Sequence, residues 1–273
     1  MATTFFGLQN LPRPVPVRKV VLPREHGATA QLLVPLACAL GFGPPHLASV
    51  GLSLAATAGL LGHEPLMVLL GHRGLRAQTQ HRQLASRLVA GCATVAGVGF
   101  ALGVLALRRE LSFLAVPAGL SLALLGLAFS KREHSTPAEA FAAVALSSWA
   151  VPVARLGGAH PRAAWLLGAG FAIAFGLATV AVRAVIASHK RTPRLATRNA
   201  TVALVVIAFA GLRALAATGR VPFGFEVALW PMEAFALATA LGDLHPRQMV
   251  PLGFANLSVS LLVAALLFHT LHG

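Results

Sequence analysis

The chain carries only eight carboxylates: Glu25, Glu64, Glu110, Glu133, Glu139, Glu226, Glu233 and Asp243. Most of them border or interrupt long apolar runs. There, an ionisable side chain is a functional candidate, because placing one in hydrocarbon costs about 2.5–3.5 kcal/mol on insertion scales. Arg24-Glu25-His26-Gly27 opens the first such run. Glutamate at a helix N-terminus suits the helix dipole, and the three polar groups together could floor a cavity for an anion or a metal. His63-Glu64-Pro65 lies inside a second run, with His72 and Arg73 at its end. Glu64 precedes a proline that already breaks the hydrogen-bond ladder, so it must meet a partner or water. Arg24 or His26 is the expected partner, and a plain ion pair weighs about as much there as a functional carboxylate.

Lys131-Arg132-Glu133-His134 leads into Ser135-Thr136-Pro137-Ala138-Glu139. Thr136 as N-cap, Pro137 behind it and Glu139 at the third helical position form a capping box, which accounts for Glu139 structurally. Lys131 and Arg132 then stand beside a helix N-terminus, a natural anion site. Arg183 lies about one turn inside the end of a run that closes on Ser188-His189-Lys190-Arg191. It can snorkel to headgroups or face the same cavity. Glu226 and Glu233 are seven residues apart and share a helix face; they read as structural partners of Arg213 or Arg220. Glu110, beside Arg108 and Arg109 in a loop, needs nothing beyond solvent. The 11 histidines offer no His-x-x-x-His or His-Glu-x-x-His pair. No metal site is assigned; His26 with His63 and Glu64 is the one combination that could ligate one. The sequence shows no glycine-rich nucleotide loop, serine elbow or Cys-x-x-Cys, and tyrosine is absent.

The elements that must position these residues follow from composition. The 273 residues are 56% hydrophobic and 11% charged, with a mean hydropathy of +0.75; a water-soluble domain carries about 25% charged residues. A soluble enzyme and a disordered chain are both excluded. A net charge of +14 on a soluble protein would suggest nucleic acid. Here the basic residues fall in gaps between apolar runs, so the expected partner is the lipid bilayer and not nucleic acid. Protein partners cannot be named from the sequence. The expected fold is all-α, a polytopic transmembrane helical bundle of about nine spans. They fall roughly at 25–43, 47–71, 84–107, 111–130, 137–156, 161–187, 199–218, 222–242 and 250–271. With the N-terminus inside, sixteen of the 22 Lys and Arg residues lie on the inner side, which predicts an N-in/C-out orientation. Residues 1–22, with Pro12, Pro14 and Pro16 and no apolar h-region, read as an extended cytoplasmic tail. Residues 23–273 read as a single bundle domain. Cys38 and Cys92 read as small buried hydrophobes. Gly99 and Gly103 are spaced for close helix approach.

Leu22-Pro-Arg-Glu-His-Gly27, running into Leu32-Leu-Val-Pro35, strongly resembles the opening of the YwiC-like family of bacterial membrane proteins. His63-Glu64-Pro65-Leu66, Arg132-Glu133-His134 through Glu139, and His245-Pro246-Arg247 with Leu252-Gly253 fit the same pattern, so the resemblance covers nearly the whole chain. It implies a multi-pass protein of the bacterial plasma (inner) membrane rather than a particular activity. A fainter resemblance is to the UbiA-type prenyltransferase superfamily, which implies a UbiA-like arrangement of nine helices with a site open to the cytoplasm. The points of likeness are the polar start and Pro35 of the first span, and Phe129-Ser130-Lys131-Arg132 with Thr136-Pro137. That superfamily holds magnesium on a prenyl diphosphate with two Asp-rich motifs. This sequence has His63-Glu64, Arg73 and Arg76 at the first of them and Arg183, Lys190 and Arg191 at the second. The motifs therefore do not support magnesium, no other cofactor is implied, and arginines would have to grip an anion directly.

Three functions remain open. A cytoplasm-facing cavity could bind or transfer an isoprenoid or other anionic lipid, with Lys131, Arg132 and Arg183 on the headgroup and Glu25, His26 and Glu64 on the floor. A transporter or accessory subunit could use Glu64, Glu25 and His26 for protons or substrate. A structural protein would use its ion pairs for packing alone.

Overall fold

The computed structural model describes residues 26–130, 135–188, 194–242 and 248–272. All of the regular structure among them is helical: α1 His26–Leu40, α2 Leu47–Leu69, α3 Leu75–Ala106, α4 Ser112–Phe129, α5 Thr136–Ser147, α6 Ala150–Leu156, α7 Pro161–Ser188, α8 Arg194–Ala217, α9 Phe223–Leu241 and α10 Met249–His272. Helices satisfy every internal backbone group within the segment, which hydrocarbon demands. The expected tail at 1–22 lies outside the described residues.

Counting Thr136–Leu156 as one span, seven helices among the described residues are long and apolar enough to cross a membrane. The expectation of nine also needs α1 and α9. The described part of α1, 15 residues, rises about 22 Å against a hydrocarbon core of about 30 Å. Helix α9 has the length but carries Glu226 and Glu233, which dilute its apolarity.

Two departures from the expected boundaries have local causes. Helix α3 begins at Leu75, well before the expected 84, and runs 32 residues. Residues 75–83 are polar but include good helix formers and no Gly or Pro, so the helix outruns its apolar part and reaches about 48 Å. The expected single helix at 137–156 is broken at Ser148-Trp149. Pro152 cannot donate to the Ser148 carbonyl four residues back. The Val151 N–H bonds that carbonyl instead, at 3.1 Å, tightening the turn to 3₁₀ geometry. The Trp149 indole N–H then reaches Ser121 Oγ on α4, at 3.0 Å.

The turns tie one end of the bundle together. His46, before α2, donates from Nε2 to the Leu156 carbonyl at 2.6 Å. Arg162, at the start of α7, donates to the Gly219 and Arg220 carbonyls between α8 and α9. Phe42 meets Phe268 edge to face at 5.4 Å, and Phe268 stacks on His272. In an N-in orientation this is the outer end. The opposite end gathers the start of α1, the α2–α3 turn, the start of α5 and the end of α7.

Helix α7 is the axis of the core. It packs against α5, α6, α8, α9, α10 and α1. Phe171, Phe175 and Leu167 interlock with Phe225, Leu229 and Met232 of α9 and with Leu267 of α10, all essentially buried. Helices α2 and α3 form a tight hairpin. A Cβ on Gly99 would strike the Gly51 carbonyl, and one on Gly103 would press Leu52, so these glycines permit close backbone approach. Most of α3, α8 and α10 is unburied and turns large apolar side chains such as Val98, Ile207 and Phe254 outward, as lipid contact requires.

Candidate functional site

Glu64 is buried near the end of α2, where the chain must turn back into α3. The turn is a Schellman motif. The His72 N–H bonds the Met67 carbonyl and the Gly71 N–H the Val68 carbonyl, both at 3.0 Å, with Gly71 at φ +75°. Gly74 reverses the chain again at φ +93°. Between the two glycines, Arg73 is delivered back onto Glu64. Its Nε donates to Oε2 at 3.0 Å and its Nη2 to Oε1 at 2.7 Å, with side-chain exposures of 12% and 5%. The bidentate fork from nine residues downstream takes the carboxylate; of the expected partners, Arg24 and the His26 side chain lie outside what the structure describes.

The cap of α5 corrects the reading of Thr136 and Glu139. Ser135 is the N-cap, its Oγ accepting the Ala138 N–H at 3.3 Å. Thr136 is the first helical residue. The helix starts one residue earlier than the capping-box register required, since Pro137 fits the first turn in either register. Glu139 is thereby freed from the cap and meets Arg183 of α7, which donates to it from Nε and forms a second contact through Nη2. Arg183 does not end at headgroups alone; it holds α7 to α5.

Two further pairs lie at the tied end. Glu110 was expected to need only solvent. It accepts two hydrogen bonds from Arg155, both at 2.6 Å, and the guanidinium holds its carboxyl below the usual carboxylate range. Nothing local in the sequence signals this pair, since the partners are 45 residues apart and meet only when the α3–α4 turn reaches α6. Glu226, fully buried, is 3.4 Å from Arg213, in line with the expected structural pair. The Arg213 guanidinium lies over Phe223 at 5.4 Å and stays mostly exposed.

Among the described residues the candidates form two ion pairs at one end of the bundle, Glu64–Arg73 and Glu139–Arg183. Helix α1 packs against α2, α5 and α7, so it stands between them. His63 is part-buried one residue before Glu64, and His26 opens α1. Arg24, Glu25, Lys131 and Arg132 lie outside the described residues. The described residues contain no group of three His, Cys, Asp or Glu side chains able to hold a metal ion. A groove between α1 and α10, lined by Leu33, Ala37, Cys38, Leu261, Ala264 and Phe268, is apolar and includes none of the candidates.

Apolar helices of spanning length, with most of their buried carboxylates paired to arginine, define a multi-pass membrane protein. Over residues 22–154 the chain matches the YwiC-like protein family. The matched stretch holds the opening motif, the Glu64–Arg73 hairpin and Glu139. It ends within α6, so Arg183, α8, α9 and the His245-Pro246-Arg247 stretch fall beyond it. No curated protein and no solved structure matches the chain.

Proposed function

We propose that this multi-pass protein resides in the bacterial plasma membrane and binds an anionic lipid headgroup, an isoprenoid phosphate among the candidates, at its inner end. One observation supports this best. Helix α3 is about 18 Å longer than the hydrocarbon core it crosses, and the polar start that projects beyond it exposes Arg76, Arg82 and Arg87. A basic helix surface at the cytoplasmic leaflet attracts anionic headgroups by about 1 kcal/mol per arginine. Arg73 and Arg183 already hold carboxylates, so they set the shape of the inner end rather than serving as the first contact. Lys131 and Arg132 add to the same basic end in this reading.

The test is a thermal-shift titration of the purified protein with prenyl diphosphates and with anionic phospholipids, each with and without magnesium. A ligand at 100 times its Kd adds about 2.7 kcal/mol of stability. The expected result is stabilisation that needs no magnesium and falls when Arg82 and Arg87 are both changed to Gln. Stabilisation by zwitterionic lipid alone refutes the reading.

A second reading, a transporter or accessory subunit, draws on the depth of Glu64, which is 4% exposed. Intramembrane carboxylates mark proton and substrate routes. Transport into liposomes that survives Glu64→Gln would refute a role for this residue.

A further inference from the structure

Five glutamates fall among the described residues, and four of them hold an arginine: Glu64, Glu110, Glu139 and Glu226. Glu233 does not. It lies at the middle of α9 with 5% of its surface exposed, and its Oε1 has no hydrogen-bond partner among the described residues. Glu226 Oε1, two turns away on the same face, is also buried and unpartnered.

Among the described residues, the helices around Glu233 offer no counter-charge. Three helices pack on α9. On α7 there is no ionisable residue between Arg162 and Arg183, on α8 none between Arg198 and Arg213, and on α10 none before His269. The next turn along the same stripe, Ala236, packs on Leu177 and Ala181 of α7 and Val205 of α8. Gly224 lies against Thr270, and running the two helices antiparallel from there brings Glu233 level with Leu261, next to the buried Ser260 and about five residues along α10 from Asn256. The Asn256 Oδ1 is another buried acceptor without a partner among the described residues. Pro231, two residues before Glu233, cannot donate to the Val227 carbonyl, which adds one more oxygen without its helical hydrogen bond.

Among the described residues, then, Glu233 has neither a cationic partner nor a hydrogen-bond donor on its Oε1. A bare carboxylate there is costly without a cation or a proton. A metal ion would need several converging oxygen or nitrogen ligands, and no group of three metal-binding side chains is present among the described residues. A proton supplies the missing donor with a single atom. We propose that Glu233 is a reversible proton-binding site in the middle of the bundle. It exchanges its proton with the outer end along the face that carries Glu226 and Arg213. Protonation converts one Glu233 oxygen into an O–H donor toward the acceptors around it. Release leaves the carboxylate and returns the proton to water. Glu226, 3.4 Å from Arg213, is the neighbouring carboxylate on that face.

Infrared difference spectroscopy on the full-length protein in nanodiscs tests this, following the carboxylic-acid C=O stretch as pH is raised from about 5 to about 10. The expected result is a buried-acid band that persists at neutral pH, declines toward the alkaline limit, disappears in Glu233→Gln and remains in Glu110→Gln. A band unchanged by Glu233→Gln overturns the proposal. Glutamine is the neutral isostere of the protonated acid, so this variant should melt near the wild type at the acid end, below the ordinary glutamate range, and lose the fall in Tm that the wild type shows as pH rises from there through the folded value. A Glu233→Gln protein that melts far below the wild type at acid pH means that the carboxylate is ionised and paired, and that result also overturns the proposal.

Discussion

At the scale of single residues, the arginine forks decide where charge can sit. Glu64 is buried, Arg73 is part-buried, and two hydrogen bonds join them, so removing either strands the other. Glu64→Gln or Arg73→Gln alone should cost about 3–5 kcal/mol of stability. The double variant should cost much less than the sum, measured as a coupling energy in thermal melts of the four proteins. The Glu110–Arg155 pair predicts a pH effect. Its hydrogen bonds to Arg155 lower the Glu110 pKa in the fold, so its stabilisation is fully present above the ordinary glutamate range. That stabilisation is lost as pH falls through the depressed folded value. A Tm-against-pH series should show an acid limb that is shallower in Glu110→Gln. Arg73 was legible as a candidate in the sequence, but its partner was not. Two glycines with positive φ had to turn the chain before residues nine apart could meet.

At the scale of elements, the α2–α3 hairpin rests on glycine contact. Gly99→Leu should destabilise the protein by about 1–3 kcal/mol through overpacking, because the added side chain meets the Gly51 backbone rather than a movable side chain. Gly97→Ala is the control, since nothing lies within 4 Å of its added Cβ, and it should leave the melting temperature at or slightly above the wild-type value. Both glycines stand in the same apolar run, and the run alone does not say which one faces a neighbour. The same limit explains α5 and α6. Pro152 was visible, but whether a proline kinks a membrane helix or ends it depends on which neighbours satisfy the freed carbonyl. Here the chain breaks and Trp149 turns to Ser121.

At the scale of the whole molecule, the helix turns sort into a tied end and an end bearing the Glu64 and Glu139 pairs, and the proposed orientation puts the arginine-rich end at the cytoplasm. In a cysteine-free background, Arg220→Cys should react with an impermeant thiol reagent from outside, and Arg76→Cys only from inside. The reverse labelling would invert the orientation and move the proposed lipid site to the other leaflet. Helical class, the places of the apolar runs and the list of ionisable residues worth attention were all determined by the sequence. They depend on hydropathy and charge, which are properties of residues taken in order. Which carboxylate holds which arginine was decided only by tertiary structure. So were the freeing of Glu139 from its expected cap and, among the described residues, the lack of any counter-charge around Glu233. A pair such as Glu110 and Arg155 depends on a distance in space between segments far apart in the chain, and only the packing of the helices sets that distance.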